Sequence, residues 1–237
     1  MIAAALDLNM QVVELQHGSF NREHLAYSYP SCVHRSVHVI FPQFVLTLGQ
    51  FWGTGMNIPA LKVVPIGNNY FVPDHSPVEN DGSILFISSM IHGNDLAEVA
   101  MKFSKKHPHK SIYFKLHTNE YQNEYVYLEL FKDYSDIKIV KNEIDLNTLI
   151  KRSSLVILIA STVLYEALSL GHKVAIYKRV NYHTQQDCFG LPNVFLFDSL
   201  EELEMALQAP EREQNFQFFE SFHEKLFTDL ITNQFYE

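Results

Sequence analysis

Nine short apolar runs punctuate the sequence, several of them apolar almost from end to end. They are VVELQ (12–16), FVLTLG (44–49), KVVPIG (62–67), ILFISS (84–89), SIYFKLH (111–117), IKIVK (137–141), LVILIA (155–160), KVAIYK (173–178) and VFLFD (194–198). A strand wetted on one face alternates apolar and polar residues. One covered on both faces reads as a continuous apolar run, the mark of parallel sheets flanked by helices. From residue 84 onward the intervening segments carry helical spacing. NDLAEVAMKFSKKH (94–107) puts Leu96, Val99, Ala100 and Phe103 on one face. NEYVYLELFKDY (123–134), DLNTLIKRS (145–153) and STVLYEALSLG (161–171) follow, and SLEELEMALQ (199–208) opens with a capping box from Ser199 to Glu202. This rhythm predicts an α/β fold built on a doubly wound parallel sheet.

PDHSPVENDG (73–82), with two prolines, a glycine and four acids or amides, is the strongest linker signal. It separates a shorter piece (1–72) from a regular α/β unit (83–208). The tail places Phe216, Phe219, Phe222, Leu226 and Leu230 at helical spacing, so a closing C-terminal helix is expected within 211–237. A hydrophobic content of 47% over 237 residues supports a substantial core. The net charge of −9 argues against nucleic acid as a partner, since a phosphate backbone calls for a basic face. A local cationic site for one small anion stays open. Cys32 and Cys188 fit a reducing compartment, with a single disulfide left as the alternative. The start, MIAAALDLNMQ, lacks the basic n-region of a signal peptide. LVILIA falls far short of the roughly 20 residues that span a bilayer. A soluble cytoplasmic protein is expected, with the aromatic tail as the segment suited to peripheral contact with the inner membrane face.

In doubly wound sheets ligands bind outside the carboxyl ends of the strands, so the residues just after each run are the candidates. After LVILIA come Ser161 and Thr162, which read either as a plain helix cap or as hydroxyls beside an anion at a helix start. Glu166, four residues beyond Thr162, shares its face and suits ribose hydroxyls or a solvated surface. Lys115 and His117 lie two apart, on one side of their strand. A cation with an imidazole suits a phosphate; strand-end residues facing water are the alternative. Glu120 either orients His117 or begins the next helix. Ser88 and Ser89 end another strand, as ligand contacts or as a turn. His17 and Gly18 end VVELQ; an imidazole there is a candidate general base, with a structural role as the alternative. Its neighbours His24, His34 and His38 show no metal-ligand spacing, so no structural metal is expected. TLGQFWGTG (47–55) lacks the Gly-Lys-Ser/Thr of a nucleotide-binding P-loop. It reads as a loop at a cleft or a turn around a buried Trp52.

ELQHG (14–18), LTLGQFW (46–52), KVVPIG (62–67), ILFISS (84–89), FKLHTNE (114–120) and STVLYEALSLGHKVAIY (161–177) occur in a shared order. In that order the chain resembles bacterial surface-polysaccharide glycosyltransferases of the GT-B fold, of the capsule, lipopolysaccharide and teichoic-acid type. The resemblance implies a Rossmann-like donor-binding domain at 83–208. There Ser88, Ser89, Lys115, Glu120, Ser161, Thr162 and Glu166 serve a nucleotide-sugar, and no cofactor is required. It implies His117 at the departing phosphate and His17 as the base on a polysaccharide or glycolipid acceptor. His117 is followed by Thr118 where the family carries proline, which leaves the backbone freer. AAALDLNMQVVELQHG (3–18) resembles the end of an N-terminal, acceptor-side domain, so 1–72 reads as its remnant. The chain is accordingly expected to be a piece of a longer enzyme or to take a partner chain that supplies the rest. A non-catalytic assembly subunit and a transferase of a phosphorylated alcohol are the alternative roles.

Overall fold

The computed structural model describes residues 2–29, 41–58, 62–70, 76–213 and 216–234. Cys32, His34 and His38 lie outside them, as do residues 73–75 of the expected linker and 214–215 and 235–237 of the expected tail helix. The chain forms two compact units, residues 1–72 with 217–237, and residues 73–216.

The larger unit is a six-stranded sheet: β4 (Ser83–Ile87), β5 (Ile112–Lys115), β6 (Ile137–Val140), β7 (Ser153–Leu158), β8 (Val174–Tyr177) and β9 (Val194–Phe197). All pairs are parallel, in the order β6-β5-β4-β7-β8-β9. β4 and β8 are buried at every position, which explains their unbroken apolar runs. The chain builds outward from β4 to β6, then returns to the far side of β4 and builds outward again. The order therefore reverses between β4 and β7, and the loops there diverge and leave a crevice. α3 (Gly93–Lys106) buries Leu96, Val99, Ala100 and Phe103, the face its spacing predicts. α4 (Glu124–Leu130) is preceded by a 3₁₀ turn, Thr118–Asn123. α5 (Leu146–Arg152), α6 (Val163–Ser169) and α7 (Leu200–Gln208) complete the layers. At α7 the Ser199 hydroxyl accepts the Glu202 N–H, but Glu202 reaches back to the Asp198 N–H, one residue beyond the expected partner.

The smaller unit holds α1 (Ile2–Asp7) and a parallel sheet of β1 (Val13–Leu15), β2 (Phe44–Thr47) and β3 (Lys62–Pro65), with α2 (Gln50–Gly53) after β2. Trp52 is fully buried there, its indole N–H donating to the Phe218 carbonyl at 2.7 Å. The tail departs from its periodicity. Its helix, α8, spans only Glu224–Gln234, whereas residues 216–223 are irregular. Their amides are committed elsewhere: Glu220 donates to the Leu48 carbonyl and His223 to the Ile66 carbonyl. Groups bonded to strand ends cannot also form helical rungs. Leu230 is buried with Phe227 packed beside it, while Leu226 is exposed.

Gly67 marks where the tail crosses. Its φ is +71°, and a Cβ there would lie 2.2 Å from the Ser221 carbonyl oxygen. Gly67→Ala should cost at least about 1–3 kcal/mol from the left-handed backbone alone, with the clash added. Denaturant unfolding followed by the fluorescence of Trp52, the one tryptophan, reads the loss directly.

Candidate active site

A cavity of about 560 Å³ opens at the carboxyl ends of β4, β5 and β7. Its walls are the loop after β4 (87–92), the end of β5 with the turn that follows (115–119), and the segment entering α6 (160–163) with Glu166, together with Leu146 and Asn181. Ser88, Ser89, Lys115, His117, Ser161, Thr162 and Glu166 all line it. They come from three segments far apart in sequence, brought together because the strand order reverses there.

Each side chain is held differently. Lys115 Nζ donates to the Leu116 carbonyl at 3.0 Å and to the Tyr121 hydroxyl at 3.3 Å, and lies 5.5 Å from the centre of that ring. His117 is exposed at the cavity wall, and its Nδ1 accepts the Asn119 N–H at 3.2 Å. Ser161 Oγ accepts the Val163 N–H at 3.3 Å, whereas the Thr162 hydroxyl makes no cap bond and is exposed. Ser89 Oγ accepts the His92 N–H at 3.3 Å. Glu166 is half-buried, and burial alone pushes its carboxyl up to about 7.

One candidate faces inward and takes the hydroxyl of a second. Glu120 is 5% exposed and does not line the cavity. Its Oε2 accepts the His117 backbone N–H at 2.9 Å, and its Oε1 accepts the Ser88 hydroxyl at 3.0 Å and the Tyr127 hydroxyl. The Ser88 hydroxyl is therefore spent on Glu120. Burial, then the bond to Glu120, pushes the Tyr127 phenol up to about 12. Gly93 packs against this cluster: a Cβ would stand 2.0 Å from the Tyr127 hydroxyl and 2.5 Å from Glu120 Oε1.

His17 belongs to the smaller unit, just beyond β1. Its side chain is 69% exposed, with Nδ1 4.0 Å from Glu14 Oε1. Gly18 has no positive φ and open space where a Cβ would sit, so its backbone does not require glycine. Gln16 is buried and ties the turn together, donating to the Gly18 carbonyl and accepting the Leu48 N–H.

His92 was not among the candidates, yet it lines the cavity, with Nδ1 3.3 Å from Asp95 Oδ2. His92 sits at the N-cap of α3, three residues beyond Ser89, so the cavity lining runs past the strand end to the start of the helix. Among the described residues no group of three or more His, Cys, Asp or Glu side chains is placed to hold a metal. None of their helices is long and apolar enough to cross a membrane. Cys188 is a buried free thiol.

No protein-family model and no curated protein matches the sequence. Solved structures do match in shape. A UDP-GlcNAc 2-epimerase from Methanocaldococcus jannaschii superposes with a TM-score of 0.56 at 16% identity, over 98% of this chain and 73% of that one. The fold is GT-B-like. A glycosyltransferase from Rickettsia africae gives 0.52 at 16% identity, over 86% of this chain and 61% of that one. A wall teichoic acid polymerase gives 0.51 at 10% identity, over 85% and 58%. The chain thus spans between about three-fifths and three-quarters of these GT-B-like proteins. At such identities the likeness carries the architecture, and the same architecture serves epimerases, transferases and polymerases.

The position of Glu166 sets a pH dependence. Below its ordinary value of 4.5 the carboxyl is protonated whether the chain is folded or not. Between 4.5 and about 7 the folded chain keeps a proton that the unfolded chain releases, so rising pH favours unfolding. Above about 7 the cost is complete, with a ceiling of roughly 3 kcal/mol. Glu166→Gln should therefore be more stable than the native chain at pH 8, and the gap should close toward pH 4.5. Denaturation midpoints of both proteins across that range measure it.

Proposed function

We propose that this chain binds the nucleotide of an activated sugar in the cavity between β4 and β7. On this reading it is the donor-binding part of a glycosyltransferase acting on a surface polysaccharide or glycolipid. One observation carries the reading: a lysine, an imidazole, a set of hydroxyls and a carboxyl of raised proton affinity converge at the point where the strand order reverses. That is the usual ligand crevice of doubly wound sheets, and the groups match the parts of a nucleotide-sugar. Lys115 retains donor capacity beyond its two bonds, since an ammonium carries three protons. With His117 it suits the diphosphate, while Glu166 suits ribose hydroxyls.

In the transfer an acceptor oxygen bonds to the anomeric carbon as that carbon's bond to phosphate oxygen breaks. The electron pair leaves with the nucleotide. Lys115, His117 and the hydroxyls at Ser161 and Thr162 act on the charge that develops there. The acceptor's proton needs a base, and His17 is the proposed one on the strength of its resemblance alone. Residues 1–72 are the proposed acceptor-side portion.

Calorimetric titration with UDP, CDP, GDP and CMP, and with their sugar conjugates, tests the reading. Saturable heat is expected with at least one, and Lys115→Met should weaken it about tenfold, the loss of one charge-assisted contact worth roughly 1.4 kcal/mol. A folded sample that gives no heat with any of them overturns the reading. A CDP-linked alcohol bound in preference to every sugar conjugate would move it to transfer of a phosphorylated alcohol.

A further inference from the structure

The turn at the cavity wall decides which nitrogen of His117 carries the proton. His117 caps the 3₁₀ turn Thr118–Asn123, and its Nδ1 accepts the Asn119 N–H. A backbone amide only donates, so Nδ1 is the bare nitrogen and the neutral ring carries its proton on Nε2. Among the described residues nothing bonds to Nε2, and the ring lines the cavity. The reciprocal half of the box comes from Glu120, whose Oε2 accepts the His117 N–H while its Oε1 is bonded to Ser88 and Tyr127. The loop is thus tied to the end of β4 and to α4 through a carboxylate that is almost wholly buried.

We propose that this capping box is a tautomer lock. Asn119 and Glu120 hold His117 as a neutral Nε2–H donor, and that donor engages a phosphate oxygen of the bound nucleotide. The inference rests on the nucleotide-sugar reading of the cavity and adds a direction to it. When the bond to the sugar breaks, its electron pair settles on phosphate oxygen, and a donor already aimed there strengthens its hydrogen bond. The same lock bars the ring from acting as the base. Nε2 already holds a proton, and Nδ1 is engaged by Asn119, so the proton released by the acceptor goes elsewhere. Glu120 is then a positioning residue and not a ligand contact.

Two measurements separate the lock from its use. Long-range ¹H–¹⁵N correlation spectra of the ¹⁵N-labelled full chain, in mildly alkaline buffer without ligand, report the tautomer; the resonances lost in His117→Asn assign the ring. A single Nε2–H species is expected. Glu120→Ala should turn it into a mixture, and Glu120→Gln, which keeps an acceptor for the His117 N–H, should restore it. A native ring that is already mixed, or protonated on Nδ1, overturns the lock. For the ligand, His117→Asn retains an oxygen for the Asn119 N–H and caps well, so it should melt with the native protein. It presents no donor at the Nε2 position and should bind UDP or CDP about tenfold more weakly. His117→Gln, which returns an amide donor near that position, should recover most of the loss. Native affinity in His117→Asn overturns the donor role. If the native chain binds no nucleotide, the reading of the cavity falls and takes the donor role with it, while the spectra still decide the lock.

Discussion

One buried carboxylate organises the cavity edge of the larger unit. Glu120 takes three donors at once: the backbone at the end of β5, the hydroxyl at the end of β4 and the phenol on α4. Stripping water from a carboxylate is costly unless hydrogen bonds replace it. Here they do, and the donors come from three separate segments. α3 starts with Gly93 because any side chain there would strike the same cluster. The cost of desolvating one group is thereby offset only when β4, β5 and α4 all hold their places, which couples those segments at the cavity wall.

The electrostatics of the cavity follow from that separation of roles. The carboxylate with hydrogen-bond partners sits behind the wall, and the one that lines the cavity, Glu166, has burial as the sole cause of its shifted affinity for protons. Lys115 and His117 face the same space, each anchored by a local partner that leaves donor capacity over. The net charge of −9 does not decide the field in such a place, because the local arrangement, not the total, sets it.

Much of the fold was legible in the sequence because strands covered on both faces, such as β4 and β8, leave continuous apolar runs. The nine apolar runs correspond to nine strands, and the α3 face was readable from Leu96, Val99, Ala100 and Phe103. The tail was not, because helical spacing of Phe216, Phe219 and Phe222 says nothing about where their amides bond; tertiary partners at Leu48 and Ile66 decided that. At the site, the rule that ligands meet strand ends brought Lys115, His117, Ser161, Thr162 and Glu166 to one cavity. It could not tell that Ser88 and Glu120 would spend their polar atoms on each other. Side-chain direction inside a loop is set by packing, which spacing does not encode.

The crossing of the tail at Gly67 reaches beyond local packing. The smaller unit is assembled from two stretches of chain with the whole larger unit threaded between them in sequence. The groups that meet the Leu48 and Ile66 carbonyls and the Trp52 indole arrive more than a hundred residues after the strands they complete. Residues 73–216 are therefore complete in the growing chain before the earlier-made sheet has its full set of partners. The smaller unit's sheet gains these last backbone partners only when residues 217–234 follow, and contacts of such long sequence separation are the kind that slow folding.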